Sequence, residues 1–393
     1  MHIVIIGAGL GGLCLAQGLQ RRGVSFDVYE RDAAPDSRPQ GFRIKIDQTG
    51  QQALEECLPP ALNDLFRQTC AIPVNGVNLI GPSLEPVSER WVASWQRAGG
   101  DDAPVGRVED LNADRLAMRR VLLEGIEAHV HFGCAFAGYE RSGGVLRARF
   151  EDGSAVEGDV LVAADGVNST VRAMRLPGVV PLDTGSTCIY GKTLFAADIA
   201  SRIAPLFHAR TSVAFGDRLA VIVDPMKFGP SSSASLLPVG DYLYWAMIGP
   251  NDRLNPDGAA ALSSDPRNRA HAIVLHCAAG WHPGFRALFE LALPSDVAML
   301  PIRTMAAPPA WQTDGVTMLG DAIHVMSPAG GLGANTALHD AATLAQALGA
   351  ASADRTSVMA AVAAYEAAMR DYAREAIQQS NDGAQLLFGA VAA

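Results

Sequence analysis

A short β-branched run, Ile3-Val4-Ile5-Ile6, breaks into the turn Gly7-Ala8-Gly9-Leu10-Gly11-Gly12, and no other feature of the chain constrains its fold so tightly. The run reads as a central parallel strand buried on both faces. A helical pattern follows (Leu13, Leu15, Ala16, Leu19) and runs to Gly23; Ser25-Phe26-Asp27-Val28-Tyr29 then reads as a second strand with Glu30 at its carboxyl end. This is a complete βαβ unit with the dinucleotide-binding fingerprint. Gly7 allows the tight turn, Gly9 lets the backbone approach a pyrophosphate, and Gly12 lets the helix pack close to the strand. Phosphates then lie at the helix N-terminus, near Leu10 and Gly11, where unpaired N–H groups and the dipole favour anions. Glu30 stands where a carboxylate bonds ribose hydroxyls and repels a 2′-phosphate, with Arg31 beside it. The unit by itself leaves NAD and FAD both open.

At 393 residues the chain exceeds what one core usually serves, so two closely packed domains are expected. Apolar residues make up 49% of it and charged ones 18%, enough for a large core and an apolar cavity. A formal charge of -10 argues against a nucleic-acid partner, which requires a basic face. The six cysteines are scattered without a CxxC pair and read as isolated thiols in a reducing cytosol. The nine histidines form no HExxH set, so no metal site is expected. The N-terminus lacks the basic region of a signal peptide, and no segment has the length of a membrane span. A cytoplasmic protein, monomeric or weakly dimeric, is the expectation.

Two later segments narrow the ligand. Gly158 to Ala164 is an apolar strand ending in Asp165-Gly166, after which Ser169 caps a short helix. Gly315-Val316-Thr317-Met318-Leu319 is a third strand ending in Gly320-Asp321; the loop Ser327-Pro328-Ala329-Gly330-Gly331-Leu332-Gly333-Ala334-Asn335 and a long helix from near Thr336 follow. With these three motifs, in this order and spanning most of its length, the chain resembles the class A FAD-dependent aromatic hydroxylases, the flavoprotein monooxygenases that include p-hydroxybenzoate hydroxylase and the tetracycline-inactivating enzymes. The resemblance implies FAD as the dinucleotide. It implies that Asp321 bonds a ribityl hydroxyl, that Asp165 and Gly166 lie near the pyrophosphate, and that Pro328, Gly331, Gly333, Ala334 and Asn335 run along the isoalloxazine ring. Independently of the family, a helix opening near Gly333 aims free N–H groups at the negative charge of a reduced flavin.

The fold class implied is α/β: a Rossmann-like FAD-binding domain, an inserted antiparallel β-sheet substrate domain and a long C-terminal helix. The expected FAD-binding parts are 1–72, 100–178 and 300–350, the substrate domain 73–99 and 179–299, and the helical segment 351–393. Within the substrate domain, apolar runs at Cys188 to Ala196, Ser212 to Asp224 and Tyr242 to Ile248 suggest a sheet with one face packed and the other lining a cavity. Phe215, Met226 and Trp245 are its candidate pocket residues. Helices are expected from Pro266 to Ala279 and from Val358 to Leu387.

Asn112-Ala113-Asp114-Arg115 opens a capped helix in which Arg115 and Arg119 share a face. By the resemblance Arg115 approaches FAD, while Arg119 is equally readable as solvated. In Gly41-Phe42-Arg43-Ile44-Lys45-Ile46-Asp47 polar and apolar residues alternate. The resemblance brings this strand near the flavin edge, and Arg43 either meets the cofactor or belongs to an exposed strand face. His324 is placed behind the site, without a catalytic role.

The reaction implied uses NADPH or NADH and O2. It oxygenates an aromatic or polyketide-like small molecule through a flavin C4a-hydroperoxide, with no catalytic side chain of the protein's own. Hydroxylation and Baeyer–Villiger insertion both remain open. A prenyl-chain reductase on the same scaffold and a non-enzymatic FAD-sequestering protein are the alternatives. Trp245-Ala246-Met247-Ile248-Gly249-Pro250 matches the halogenase signature W-x-W-x-I-P only in part, and that reading is rejected.

Overall fold

The computed structural model describes residues 1–37, 41–88, 108–142, 145–195, 199, 201–229, 240–255, 266–351 and 354–388. Expectations that fall on other residues, including 89–107, Ala196 and 389–393, lie outside the described residues. Five parallel strands form the sheet that the N-terminal unit begins. Their spatial order is Val316–Met318, Val160–Ala163, His2–Ile6, Ser25–Glu30 and Val130–Phe132. Ile3–Ile6, Val160–Ala163 and Val316–Met318 are buried on both faces, which explains their largely apolar runs. Helix Leu10–Arg21 packs on this sheet and against helix Gly333–Ala350, and Gly18 lies so close to Ala345 and Cys57 that a side chain would collide with both. The helix expected to start near Thr336 begins three residues earlier.

A six-stranded sheet makes the second layer, in the order Val297–Thr304, Leu182–Leu194, Tyr242–Pro250, Leu219–Met226, Thr211–Gly216 and Val77–Ile80. It is antiparallel except at its last pair, where Val77–Ile80 runs parallel to Thr211–Gly216. The apolar run from Ser212 to Asp224 is two strands rather than one. Asp217 and Arg218, both at positive φ, close a two-residue hairpin between them, the geometry that matches strand twist. Strand Val297–Thr304 belongs wholly to this sheet, so the layer extends past the expected boundary at residue 299.

Strict alternation gives this sheet two different faces. On one, Val221, Val223, Leu243, Trp245 and Met247 pack against Ile273, Val274, Phe285, Leu288 and Phe289 of helices Pro266–Cys277 and Pro283–Glu290. The other, bearing Tyr190, Ile222, Ala246 and Ile248, turns towards the parallel sheet. A small antiparallel sheet of Arg43–Ile46, Leu111–Asp114 and Cys70–Ala71 joins the layers. Pairing with Arg43–Ile46 draws residues 111–114 into a strand, so the helix expected from Asn112 starts at Arg115. Its cap is Asp114, whose Oδ1 accepts the N–H groups of Leu116 and Ala117 at 3.0 and 2.9 Å. The other oxygen of Asp114 accepts the Tyr242 hydroxyl at 2.9 Å, fastening the second sheet to the first domain.

Helix Arg355–Phe388 closes the fold. Its Tyr365 donates to the Met318 carbonyl at 2.9 Å.

Trp245 is fully buried, stacks edge-on against Phe289 and donates to Thr193 Oγ1 at 3.2 Å. Trp245→Ala is therefore expected to cost roughly 3–5 kcal/mol of stability. Urea unfolding of the purified variant checks this, and a loss under about 1 kcal/mol would contradict the packing described.

Candidate functional site

The site follows from strand register. Ile6 is paired with Ala163 and Ala163 with Met318, so three adjacent strands end level. Their continuations, Gly7, Asp165-Gly166 and Gly320-Asp321, therefore meet at one edge of the sheet although they are far apart in the chain. Open α/β sheets bind ligands at this edge. Tyr29 is paired with Ile6 on the other side, which sets Glu30 beside the same turn. Arg172 ties the later two motifs together. Its guanidinium donates to Val167 O at 2.7 Å, Ala322 O at 2.9 Å and Asp321 O at 3.3 Å.

Two cavities open along this edge and share Gly9, Arg115, Ala164 and Gly166. One, of about 330 Å³, is lined by Gly7, Tyr29, Glu30, Arg31, Asp165, Asn168 and Thr170 among others. The Glu30 carboxylate accepts Ala8 N–H at 2.7 Å and Asp32 N–H at 2.9 Å, which fixes it at the rim. Asp165 Oδ2 accepts Thr170 N–H at 2.8 Å, while Oδ1 is buried with no hydrogen-bond partner among the described residues, and burial raises the carboxyl's pKa. The second cavity, of about 380 Å³, lies between the loop Ser327–Gly333 and the second sheet. Gly11, Gly12, Arg43, Lys45, Gly320, Asp321, Pro328, Gly331, Gly333 and Ala334 line its first side, and Cys188, Ile222, Tyr244, Ala246 and Ile248 its second. Burial raises the pKa of Asp321, against the pull of His324, Arg115 and Arg172.

The glycines of the turn separate structural need from ligand need. A Cβ on Gly7 would lie 2.3 Å from Ala164 O and one on Gly12 2.1 Å from Gly7 O, so both are fixed by packing. A Cβ on Gly9 would meet nothing within 4 Å, and its φ of -73° suits any residue. Nothing in the protein itself requires glycine there, and Gly9 lines both cavities. The unpartnered Asp165 Oδ1 and the first N–H groups of helix Gly333–Ala350, which no side chain caps, also face ligand space. Together they fit a dinucleotide carrying a flavin: hydroxyls for the carboxylates, phosphates at Gly9, and an anionic ring edge at Gly333.

Some expected residues lie elsewhere. Asn335 is buried and does not line the cavity. Its amide donates to Lys45 O and Gly331 O, both at 3.0 Å, and its carbonyl accepts Asp47 N–H, pinning the loop to the strand. Arg119 is 5% exposed rather than solvated; its Nε donates to Ala8 O at 3.0 Å and it stands 3.8 Å from Glu30, stabilising the turn from behind. Arg43 and Lys45 are not on an exposed strand face either. Arg43 lines the cavity and pairs with the buried Asp224 at 3.1 Å. Trp245 points to the helical side of the sheet, because odd-numbered residues of its strand face away from the cavity. Met226 and Phe215 lie on the cavity side. Met226 is covered by Phe42 and Tyr242, and Phe215 packs at the border with Ile222 and Ile248.

Asp340 is the functional residue that sequence reading missed. It is the sole acidic residue of helix Gly333–Ala350, which was the available signal. Fully buried, it accepts Gly320 N–H at 2.7 Å, the Tyr372 hydroxyl at 2.7 Å and His324 Nε2 at 2.6 Å, and so holds the turn that presents Asp321. Burial alone would lower the His324 pKa; the Asp340 carboxylate overrides it and leaves it above 6.5.

The chain is similar to known families and proteins. Residues 5–45 match the NAD(P)-binding Rossmann-like domain family and residues 268–380 the FAD binding domain family. A dual O-methyltransferase/FAD-dependent monooxygenase of Cercospora beticola is 34% identical over 98% of this chain and 46% of its own length, so the chain spans about half of that relative. An FAD-dependent monooxygenase of Trichoderma harzianum is 28% identical over 88% of this chain and 83% of its own. A crystal structure from Photorhabdus luminescens, described as an FAD-containing monooxygenase, superposes over the whole of both chains with a TM-score of 0.81 at 28% identity.

Two outcomes follow from these contacts. Gly9→Ala should leave the unfolding free energy of the FAD-free protein within about 0.5 kcal/mol of wild type while weakening FAD binding at least roughly tenfold; Gly12→Ala should lower stability itself. Fluorescence titration with FAD and thermal unfolding separate the two. The raised pKa of His324 gives a stabilisation fully present below about pH 6.5 and lost as pH rises through the higher folded-state value. The stability gap between wild type and Asp340→Asn should accordingly narrow at alkaline pH; a gap that widens would refute the pairing.

Proposed function

We propose that the chain is an FAD-dependent flavoprotein monooxygenase that uses NAD(P)H and O2 to hydroxylate an aromatic or polyketide-like small molecule. One observation carries this reading: the dinucleotide cleft continues past Arg115 into a second, largely apolar cavity roofed by a sheet. A protein that only stored FAD would have no need of such a chamber beyond the cofactor's redox end.

FAD, when bound, supplies acceptance of a hydride and activation of O2. The protein's residues do the rest. Glu30 and Arg31 hold the adenosine half, the turn at Gly9 and Leu10 holds the phosphates, and Asp165 and Asp321 offer carboxylate oxygens to hydroxyls of the cofactor's sugar chains. The uncapped start of helix Gly333–Ala350 directs N–H groups at the ring edge, a contribution of about 0.3–1 kcal/mol when exposed and up to about 2 when partly buried. Ile222, Ala246 and Ile248 exclude water from the side where substrate stacks, which favours productive oxygen transfer over loss of the activated oxygen to solvent. Arg115, shared by both cavities, places a cation along the cofactor's path.

Purified protein is expected to be yellow, and its consumption of NAD(P)H and O2 to accelerate when an aromatic phenol is added. Colourless protein after FAD reconstitution, or turnover without O2 uptake, would overturn the proposal. The O2 electrode and absorbance at the nicotinamide band are the measurements.

A further inference from the structure

The cavity-facing side of the second sheet is not uniform. Strand pairing sets Cys188 beside Ile248 and Ala246 beside Ile222, an apolar floor. One step along, Tyr244 pairs with Asp224, and there the floor becomes polar. Tyr244 lines the cavity at this polar end of the face. Burial raises its pKa, so it stays protonated and can donate. Arg43, Asp224, Cys188 and Tyr190 are the titratable groups around it.

The charges at this end are already matched. Arg43 is ion-paired with Asp224 at 3.1 Å and Lys45 with Asp110 at 3.5 Å. The remaining lining cation, Arg115, stands at the junction with the other cavity, on the cofactor's path. A carboxylate brought here would displace one of these pairs and lose its own hydration, whereas a neutral oxygen needs only a donor.

We infer that this pocket takes an uncharged aromatic bearing a phenol or ketone oxygen, not an aromatic carboxylate, and that Tyr244 is the specificity residue, donating a hydrogen bond to that oxygen. The aromatic rings then lie on Ile222, Ala246 and Ile248. This rests on the monooxygenase reading above and adds the charge and polarity of the substrate.

The test uses FAD-loaded protein and three probes of one ring system: 2-naphthol, naphthalene and 2-naphthoate. Binding is read from perturbation of the flavin absorbance. Wild type should bind 2-naphthol about tenfold more tightly than naphthalene, the worth of one hydrogen bond, and 2-naphthoate no better than naphthalene. In Tyr244→Phe the preference for 2-naphthol over naphthalene should disappear, with naphthalene affinity kept. A preference that survives in Tyr244→Phe, or naphthoate binding as tight as naphthol, overturns the inference while leaving the monooxygenase reading in place. Protein that takes up no FAD defeats that reading instead.

Discussion

Everything at the candidate site depends on three parallel strands ending level. Hydrogen bonding between Ile3–Ile6, Val160–Ala163 and Val316–Met318 fixes their register, and with it the meeting of Gly7, Asp165 and Gly320. The approach is close enough that the backbone at Gly7 touches that of Ala164, leaving no room for a side chain. A one-residue slip in either pairing would move a carboxylate out of the cleft and turn each side chain of the strand to the opposite face of the sheet. Arg172 and Asp340 reinforce the alignment from below, one across two loops and the other across a helix and a turn.

The second layer needs different physics. Its sheet is held to the first domain by a few polar fasteners, Tyr242 on Asp114 and Arg43 on Asp224, while its bulk is anchored on the far side by helices packed over Trp245 and Phe289. The near face packs in two smaller clusters, Met226 and Tyr190 with Phe42, and Ile222 and Ile248 with Ala329, and between them and the loop Ser327–Gly333 the second cavity remains.

The βαβ unit, the capped helix after Asp165 and the long C-terminal helix could be read from sequence because each is specified locally, by periodicity, a cap or a glycine turn. The misreadings share one origin. The strand at 111–114 looks helical until Arg43–Ile46 pairs with it, Arg119 reads equally as solvated until Ala8 lies over it, and the Gly216-Asp217 turn is submerged in one long apolar run. Trp245 reads as a candidate for the pocket because an apolar strand shows its period but not which phase faces the cavity.

Sequence by itself called for a dinucleotide at the turn Gly7 to Gly12, because that turn is specified by local glycines, and the resemblance carried by three ordered motifs made FAD the expected one. Tertiary structure alone decided which side chains face the cavity, that Gly7 and Gly12 are required by packing while Gly9 is not, and that Asp340 holds the turn behind Asp321. These depend on strand register and on neighbours far away in the chain, and neither is written in any local run of residues.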